Sequence, residues 1–191
     1  MRVPCCGCFC YVEMKKNGNI FPGKAGRFEM WIIAIIAAAV LVGIDQLTKY
    51  LALVNLKPIG STTVVDGFLD LTFVENRGVA FGMFSGKKWF ILLLTLCIVA
   101  FLVYYFVKMP RTKEYQWVRC AMVLVLAGAV GNMIDRVCRG YVVDFFEFTF
   151  FSWPVFNVAD IYVVVGVIVL AALILFVIKE EPKLEKKKDE K

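Results

Sequence analysis

The sequence predicts an all-α membrane protein: a four-transmembrane-helix bundle with a small extracytoplasmic β element and an interfacial aromatic segment. Three observations predict it. The 191 residues are 60% hydrophobic with a mean hydropathy of +0.73, well above an ordinary water-soluble domain. Four apolar runs are each long enough to cross about 30 Å of hydrocarbon at about 1.5 Å per residue. Lys and Arg fall into three clusters: before the first run, in one short internal loop, and in the tail. That placement reads as cytoplasmic flanks rather than a nucleic-acid surface, because no base-stacking or groove-reading motif accompanies it.

Residues 1–29 are expected to form a cytoplasmic extension, with Arg2, Lys15, Lys16, Lys24 and Arg27 as its basic flank. Two readings stand for Cys5, Cys6, Cys8 and Cys10. One is a metal or redox cluster, a weak signal without histidine or a second C-x-x-C. The other is that residues 1–13 precede a true start at Met14, which Lys15 and Lys16 follow.

The first run, Trp31 to about Leu53, carries Asp45 and Lys49 near its far end. No small-x-small cleavage site follows it, so it is expected to remain as an anchor. The Lys57–Lys88 stretch holds β-branched and aromatic residues around Asp66-Gly67, which predicts a hairpin over Thr63–Val74. The second run is Trp89–Val107, and a basic loop leads to the third, Trp117 to about Ile134. Tyr141–Phe156 is dense in Phe and is expected to lie in the interface with its rings in lipid. The fourth run is about Ala159 to Ile178, and residues 179–191 form a charged tail. Trp31, Trp89 and Trp117 mark span starts at headgroup level, while Cys97, Cys120 and Cys138 read as small apolar packers. Both termini then lie in the cytoplasm, and the Lys57–Lys88 and Arg136–Pro154 stretches lie outside.

The chain has no histidine. That removes Ser-His-Asp and Cys-His hydrolase mechanisms and the HExxH zinc site. A Ser-Lys pair finds no support, since Ser61, Ser85 and Ser152 lack a lysine at helical spacing on a buried face. Carboxylates remain. Asp144 in Val142-Val143-Asp144-Phe145 and Asp160 in Phe156-Asn157-Val158-Ala159-Asp160 stand in strongly apolar sequence, where a charge is costly and marks function. Two such groups can share a proton, one acting as base toward water and the other as acid toward a carbonyl. Asn157 is placed to cap the fourth span or orient Asp160. Asn132, Asp135 and Arg136 can share one helix face. Asp135 is the rival for a catalytic place, ranked second because Asn132 and Arg136 offer it partners. The plain alternative is that all these groups are satisfied contacts between helices. Against it, every polar cluster maps to the same outer end of the bundle.

Five motifs stand in order: Asp45-Gln46-Leu47-Thr48-Lys49, Asn76-Arg77-Gly78-Val79-Ala80-Phe81-Gly82, Gly131-Asn132-Met133-Ile134-Asp135-Arg136, Val142-Val143-Asp144-Phe145 and Phe156-Asn157-Val158-Ala159-Asp160. Together they resemble the successive motifs of bacterial lipoprotein signal peptidase (signal peptidase II), over roughly Met30 to Ile178. The resemblance implies an intramembrane aspartic endopeptidase of the bacterial plasma membrane. Its substrates are prolipoproteins whose signal peptide is cut just before a diacylglyceryl-modified cysteine. Membrane lipids are its other partners, and no nucleic acid, cofactor or metal is implied. Asp144 and Asp160 become the catalytic pair. Asp45, Lys49, Asn76, Arg77, Gly78, Asn132, Asp135, Arg136 and Asn157 shape the site. The family's small β element and interfacial gating helix are expected at Thr63–Val74 and Tyr141–Phe156. Residues 30–178 form the peptidase domain. A transporter or proton relay, and a non-catalytic scaffold, are the competing readings of intramembrane aspartates.

Overall fold

The computed structural model describes residues 24–78, 86–110 and 113–176. The N-terminal cysteine cluster, the Val79–Gly82 part of the second motif and the charged tail lie outside the described residues. Helix α1 (Lys24–Leu51) continues through a π-helical turn at Ala52–Leu56, closed by the Lys57 N–H donating to the Ala52 carbonyl at 2.9 Å. Strands β1 (Ser61–Val65) and β2 (Leu69–Asn76) follow, then α2 (Lys88–Lys108), α3 (Lys113–Cys138), β3 (Val142–Phe148) and α4 (Val158–Phe176).

The segments Met30–Leu56, Lys88–Lys108, Tyr115–Cys138 and Val158–Phe176 are long and apolar enough to cross a membrane. Their outer faces expose large side chains such as Ile33, Leu93, Ile168 and Phe176. Each would cost about 1.5–3 kcal/mol to leave in water, so these faces meet hydrocarbon. Trp89 and Trp117 are exposed at their span starts. Trp31 instead packs its ring 5.0 Å from that of Phe106. Cys97, Cys120 and Cys138 also depart from expectation: they are exposed on the bundle surface, not packed within it. A low-polarity side chain suits lipid as well as a core.

Helix α3 is central, packed against α1, α2 and α4. Close approach to α4 depends on glycines. A Cβ on Gly128 would stand 2.3 Å from the Ala159 carbonyl oxygen, and one on Gly166 2.9 Å from that of Ala121. Both obstacles are backbone and cannot turn aside. At the end of the bundle away from the sheet, Arg119 donates to the carbonyls of Met109 and Pro110 at 2.8 and 2.9 Å, fixing the α2–α3 corner.

The three strands form one antiparallel sheet in the order β1-β2-β3. The hairpin predicted around Asp66-Gly67 is present, with Gly67 at φ +68° in the turn. The third strand corrects the sequence reading. Residues 142–148 do not form a helix; they pair with β2 from Leu69↔Phe148 to Asn76↔Val142. Its β-branched and aromatic residues suit a strand, and residues 142–145 are buried on both of its faces. The rings of Phe150, Phe151 and Trp153, beyond the strand, are the ones that remain exposed. Helix α3 also runs past the expected end at Ile134, to Cys138. It closes where the N–H groups of Arg139 and Gly140 both reach the Asp135 carbonyl, with Gly140 at φ +85°. That left-handed residue turns the chain into β3.

Candidate active site

The sequence-predicted polar residues, Arg77 apart, converge where the sheet-side ends of α1, α3 and α4 meet β2 and β3. Asp144 is placed by the register of β3. An irregularity in β2 between Leu71 and Val74 shifts the pairing so that Val74 faces Asp144 and Asn76 faces Val142. Asn76 Nδ2 then donates to Asp144 Oδ2 at 2.8 Å. Neighbouring Val143 and Phe145 pack on the strand's other face with Ala52 and Leu56 of the π-helical turn, which fixes the strand that carries Asp144. Only 1% of Asp144 is exposed. Burial first, and then the charge of Asp160, push its carboxyl from an ordinary 3.8 up to about 7. Hydrogen bonds from Asn76 and Asn157 and the charge of Lys49 oppose the rise.

Asp160 stands in the first turn of α4, where the helix dipole favours a negative charge. It and Asn157 bond reciprocally, as in a capping box. The Asp160 N–H donates to Asn157 Oδ1 at 3.0 Å, and the Asn157 N–H donates to Asp160 Oδ2 at 3.1 Å. The Asn157 side chain also reaches the other carboxylate, donating to Asp144 Oδ1 at 2.6 Å. Asn132 Nδ2 holds Asp160 Oδ1 at 2.8 Å. One asparagine therefore bridges a buried carboxylate and a partly exposed one. The two acids are chemically unequal by placement alone.

Beneath them lies a fully buried ion cluster. Lys49 Nζ is 3.0 Å from Asp45 and 3.3 Å from Asp135, and donates to Asn132 Oδ1 at 2.8 Å. Its three protons are thus used. Asp45 Oδ1 accepts the Ala159 N–H at 3.0 Å, tying α1 to α4. A Cβ on Gly131 would fall 2.5 Å from Asp45 Oδ2, so any side chain here would displace that carboxylate. Asp135 Oδ2 accepts the Val143 N–H at 3.1 Å, tying α3 to the strand that bears Asp144.

The expected partner of Asp135 was its neighbour Arg136. The structure pairs it with Lys49 and Arg139 instead. Adjacent helical side chains diverge, whereas residues four apart meet. Arg136 donates to the carbonyls of Gly78 and Asn132 at 2.8 and 3.4 Å, anchoring the loop after β2. Gly78 is buried, and its N–H reaches Asn76 Oδ1 at 2.9 Å. Arg77 stands apart: it is exposed and paired with Glu75 at 3.1 Å. Glu75 lies below its ordinary range because Lys57, then Arg77, donate to it.

Two further polar residues join the cluster, Gln46 of the first motif and Arg139, neither of them expected as a site residue. Gln46 Nε2 donates to Asp45, Asp135 and the Gly131 carbonyl at 3.1–3.2 Å. Arg139 Nη1 meets Asp135 Oδ1, and Gln46 Oε1 at 3.2 Å. The signal for Arg139 was its four-residue spacing from Asp135, hidden while the third span was ended at Ile134.

A family model described as signal peptidase (SPase) II matches residues 35–176. The lipoprotein signal peptidase of Caldanaerobacter subterraneus subsp. tengcongensis is 47% identical over 144 residues, covering 75% of this chain and 97% of that one. The lipoprotein signal peptidase of Clostridium acetobutylicum is 43% identical over 155 residues, covering 79% and 96%. Among solved structures, a bacterial membrane enzyme determined in meso at 2.3 Å superposes with a TM-score of 0.68 at 36% identity, covering 78% of this chain and 93% of that one. A second such structure, at 1.9 Å, gives a TM-score of 0.66 at 37% identity, covering 76% and 94%.

Proposed function

This chain belongs to the signal peptidase II family, a family of membrane peptidases that remove signal peptides from lipoproteins, and from that premise we propose that it is an aspartic endopeptidase whose catalytic pair is Asp144 and Asp160. Its substrate is a prolipoprotein already bearing diacylglycerol on a cysteine. The bond cut lies just before that cysteine. The observation that carries the reading is the bridge through Asn157, which bonds the buried carboxyl of Asp144 and the partly exposed carboxyl of Asp160 at once.

Near neutral pH the pair holds one proton. The ionised carboxyl takes a proton from water as the water oxygen bonds to the scissile carbonyl carbon. The protonated carboxyl gives its proton to the carbonyl oxygen, forming a neutral gem-diol. The pair, again singly protonated, then protonates the cysteine nitrogen and accepts a proton from the gem-diol as the C–N bond breaks. The products are the carboxyl end of the signal peptide and the free amine of the lipidated cysteine. Asp45, Lys49, Asn76, Gly78, Asn132, Asp135, Arg136 and Asn157 hold the carboxyls in place.

Asp135 is the less suitable acid. Two cations and the amide donors of Gln46 and Val143 already occupy both its oxygens. A carboxylate so fully paired has no oxygen free to act on water. The basic flanks support an orientation with both termini in the cytoplasm and the pair near the outer face of the plasma membrane. In that reading residues 30–178 make up the peptidase domain, flanked by cytoplasmic segments at 1–29 and 179–191.

Purified protein incubated with a diacylglyceryl-modified prolipoprotein tests the proposal. Mass analysis of the released signal peptide should place the cut immediately before the lipidated cysteine. An unmodified precursor should resist cleavage. Equal cutting of both, or normal turnover by Asp144→Asn, overturns it.

A further inference from the structure

Arg139 lies just beyond α3, and no motif above includes it. Its side chain is 26% exposed, while the carboxylate it contacts, Asp135, is fully buried. It therefore closes the ion cluster on its outer side. The charges facing the catalytic pair can be counted element by element. Helix α1 contributes Asp45 and Lys49; α3 contributes Asp135 and Arg136; α4 contributes Tyr162, which senses Asp45; β2 and β3 carry the more distant Glu75 and Glu147. Within the cluster, Asp45 and Asp135 are set against Lys49 alone unless Arg139 is included. With Arg139 the cluster is neutral; without it one negative charge remains beside the strand that bears Asp144.

The contact geometry shows which property of Arg139 matters. A single nitrogen, Nη1, meets both Asp135 Oδ1 and Gln46 Oε1. The planar fork that distinguishes Arg from Lys is not engaged in those bonds. Asp135 in turn accepts the Val143 N–H at 3.1 Å, one residue before Asp144. We propose that Arg139 is a positioning residue for the catalytic pair. It neutralises the Asp45–Lys49–Asp135 cluster and, through Asp135, holds the register and the electrostatic environment of Asp144. This rests on the assignment of Asp144 and Asp160 as the pair.

The test measures cleavage of a diacylglyceryl-modified prolipoprotein against pH for wild type, Arg139→Gln and Arg139→Lys, with unfolding followed in the same detergent. Loss of the cation makes removal of the shared proton harder. Arg139→Gln should therefore move the alkaline limb of the kcat profile upward, by on the order of half to one pH unit. The loss should fall on kcat rather than KM. Arg139→Lys should restore the limb to its wild-type position. A merely structural role predicts that both variants lose stability and turnover with the limb unmoved, and that result overturns the proposal. Should Arg139→Gln not be recovered folded, Arg139→Lys carries the test alone: a displaced limb there contradicts the primacy of charge. Asp144→Asn is assayed alongside. An active Asp144→Asn enzyme removes the pair assignment itself. A dead one, with an unmoved limb in Arg139→Gln, removes only the role of Arg139.

Discussion

Asp144→Asn should abolish cleavage and, at alkaline pH, stabilise the protein. The structure sets the size of the second effect. Burial and the charge of Asp160 lift the Asp144 carboxyl from 3.8 to about 7. For an acid, a raised folded-state value means that the native protein holds a proton the unfolded chain has released. Stability then falls as pH rises from about 4 to about 7, and the full penalty is present above that. Its size is about 4 kcal/mol, to order of magnitude. Asparagine carries no charge and escapes it. The cost is one hydrogen bond: Asn76 and Asn157 both donate to Asp144, and an amide offers only one acceptor oxygen. That mismatch costs about 1–3 kcal/mol. At about pH 8 the variant should gain roughly 1–3 kcal/mol, or several degrees in Tm. At about pH 3, where the carboxyl is neutral in the folded and the unfolded chain alike, it should be less stable by about 1–3 kcal/mol. Thermal unfolding in detergent at both pH values, with the cleavage assay beside it, reads both effects. Wild type and variant with parallel pH dependence would refute the reasoning, as would normal turnover.

Further outcomes can be stated together. Lys49→Met leaves Asp45 and Asp135 facing each other without the buried ammonium, and should cost about 3–5 kcal/mol, seen as a lost or strongly lowered unfolding transition. Asp135→Asn should lower folded yield and activity together, since it frees Lys49 and Arg139 from a partner; a stable but inactive variant would instead make Asp135 catalytic. Gly131→Ala should lower Tm and turnover, because the new methyl would occupy the place of the Asp45 carboxylate; an unaffected enzyme would show that the cluster can shift. The turnover profile should be bell-shaped, falling when the pair gains its second proton and when it loses the first, with an alkaline limb well above the ordinary aspartate value of about 3.9. Chelators should leave it unchanged, and inactivation reversed by zinc would contradict the mechanism.

Periodicity and charge cost made the four spans, the Asp66-Gly67 hairpin and the meeting of the polar motifs legible in the sequence. Asp45, Asn132, Asp144, Asn157 and Asp160 could be gathered because a polar group in an apolar run needs a partner. What stayed hidden was decided by tertiary pairing. The strand at 142–148 has the same residues as an interfacial aromatic segment, and only the edge offered by β2 selects the strand. The partner of Asp135 was misjudged because adjacency in sequence was taken for adjacency in space. Arg139 stayed hidden because the apolar run is traced only to about Ile134, whereas α3 continues to Cys138 and its last turn brings Arg139 to Asp135. Gln46 was quoted within a motif, yet nothing in the sequence showed its amide reaching three groups on two helices.

The spacing of the buried ions also bears on how the protein enters the bilayer. Asp45 and Lys49 are four residues apart on α1, and Asp135 on α3 is four residues from Arg139, in the turn that follows it. Each of these two carboxylates thus has a counter-ion within its own segment, which lowers the cost of bringing it into lipid before its neighbours arrive. Only on docking does Lys49 reach across to Asp135. Biogenesis and catalysis then place different demands on the same four side chains: self-neutral pairs during insertion, and one shared cluster at work.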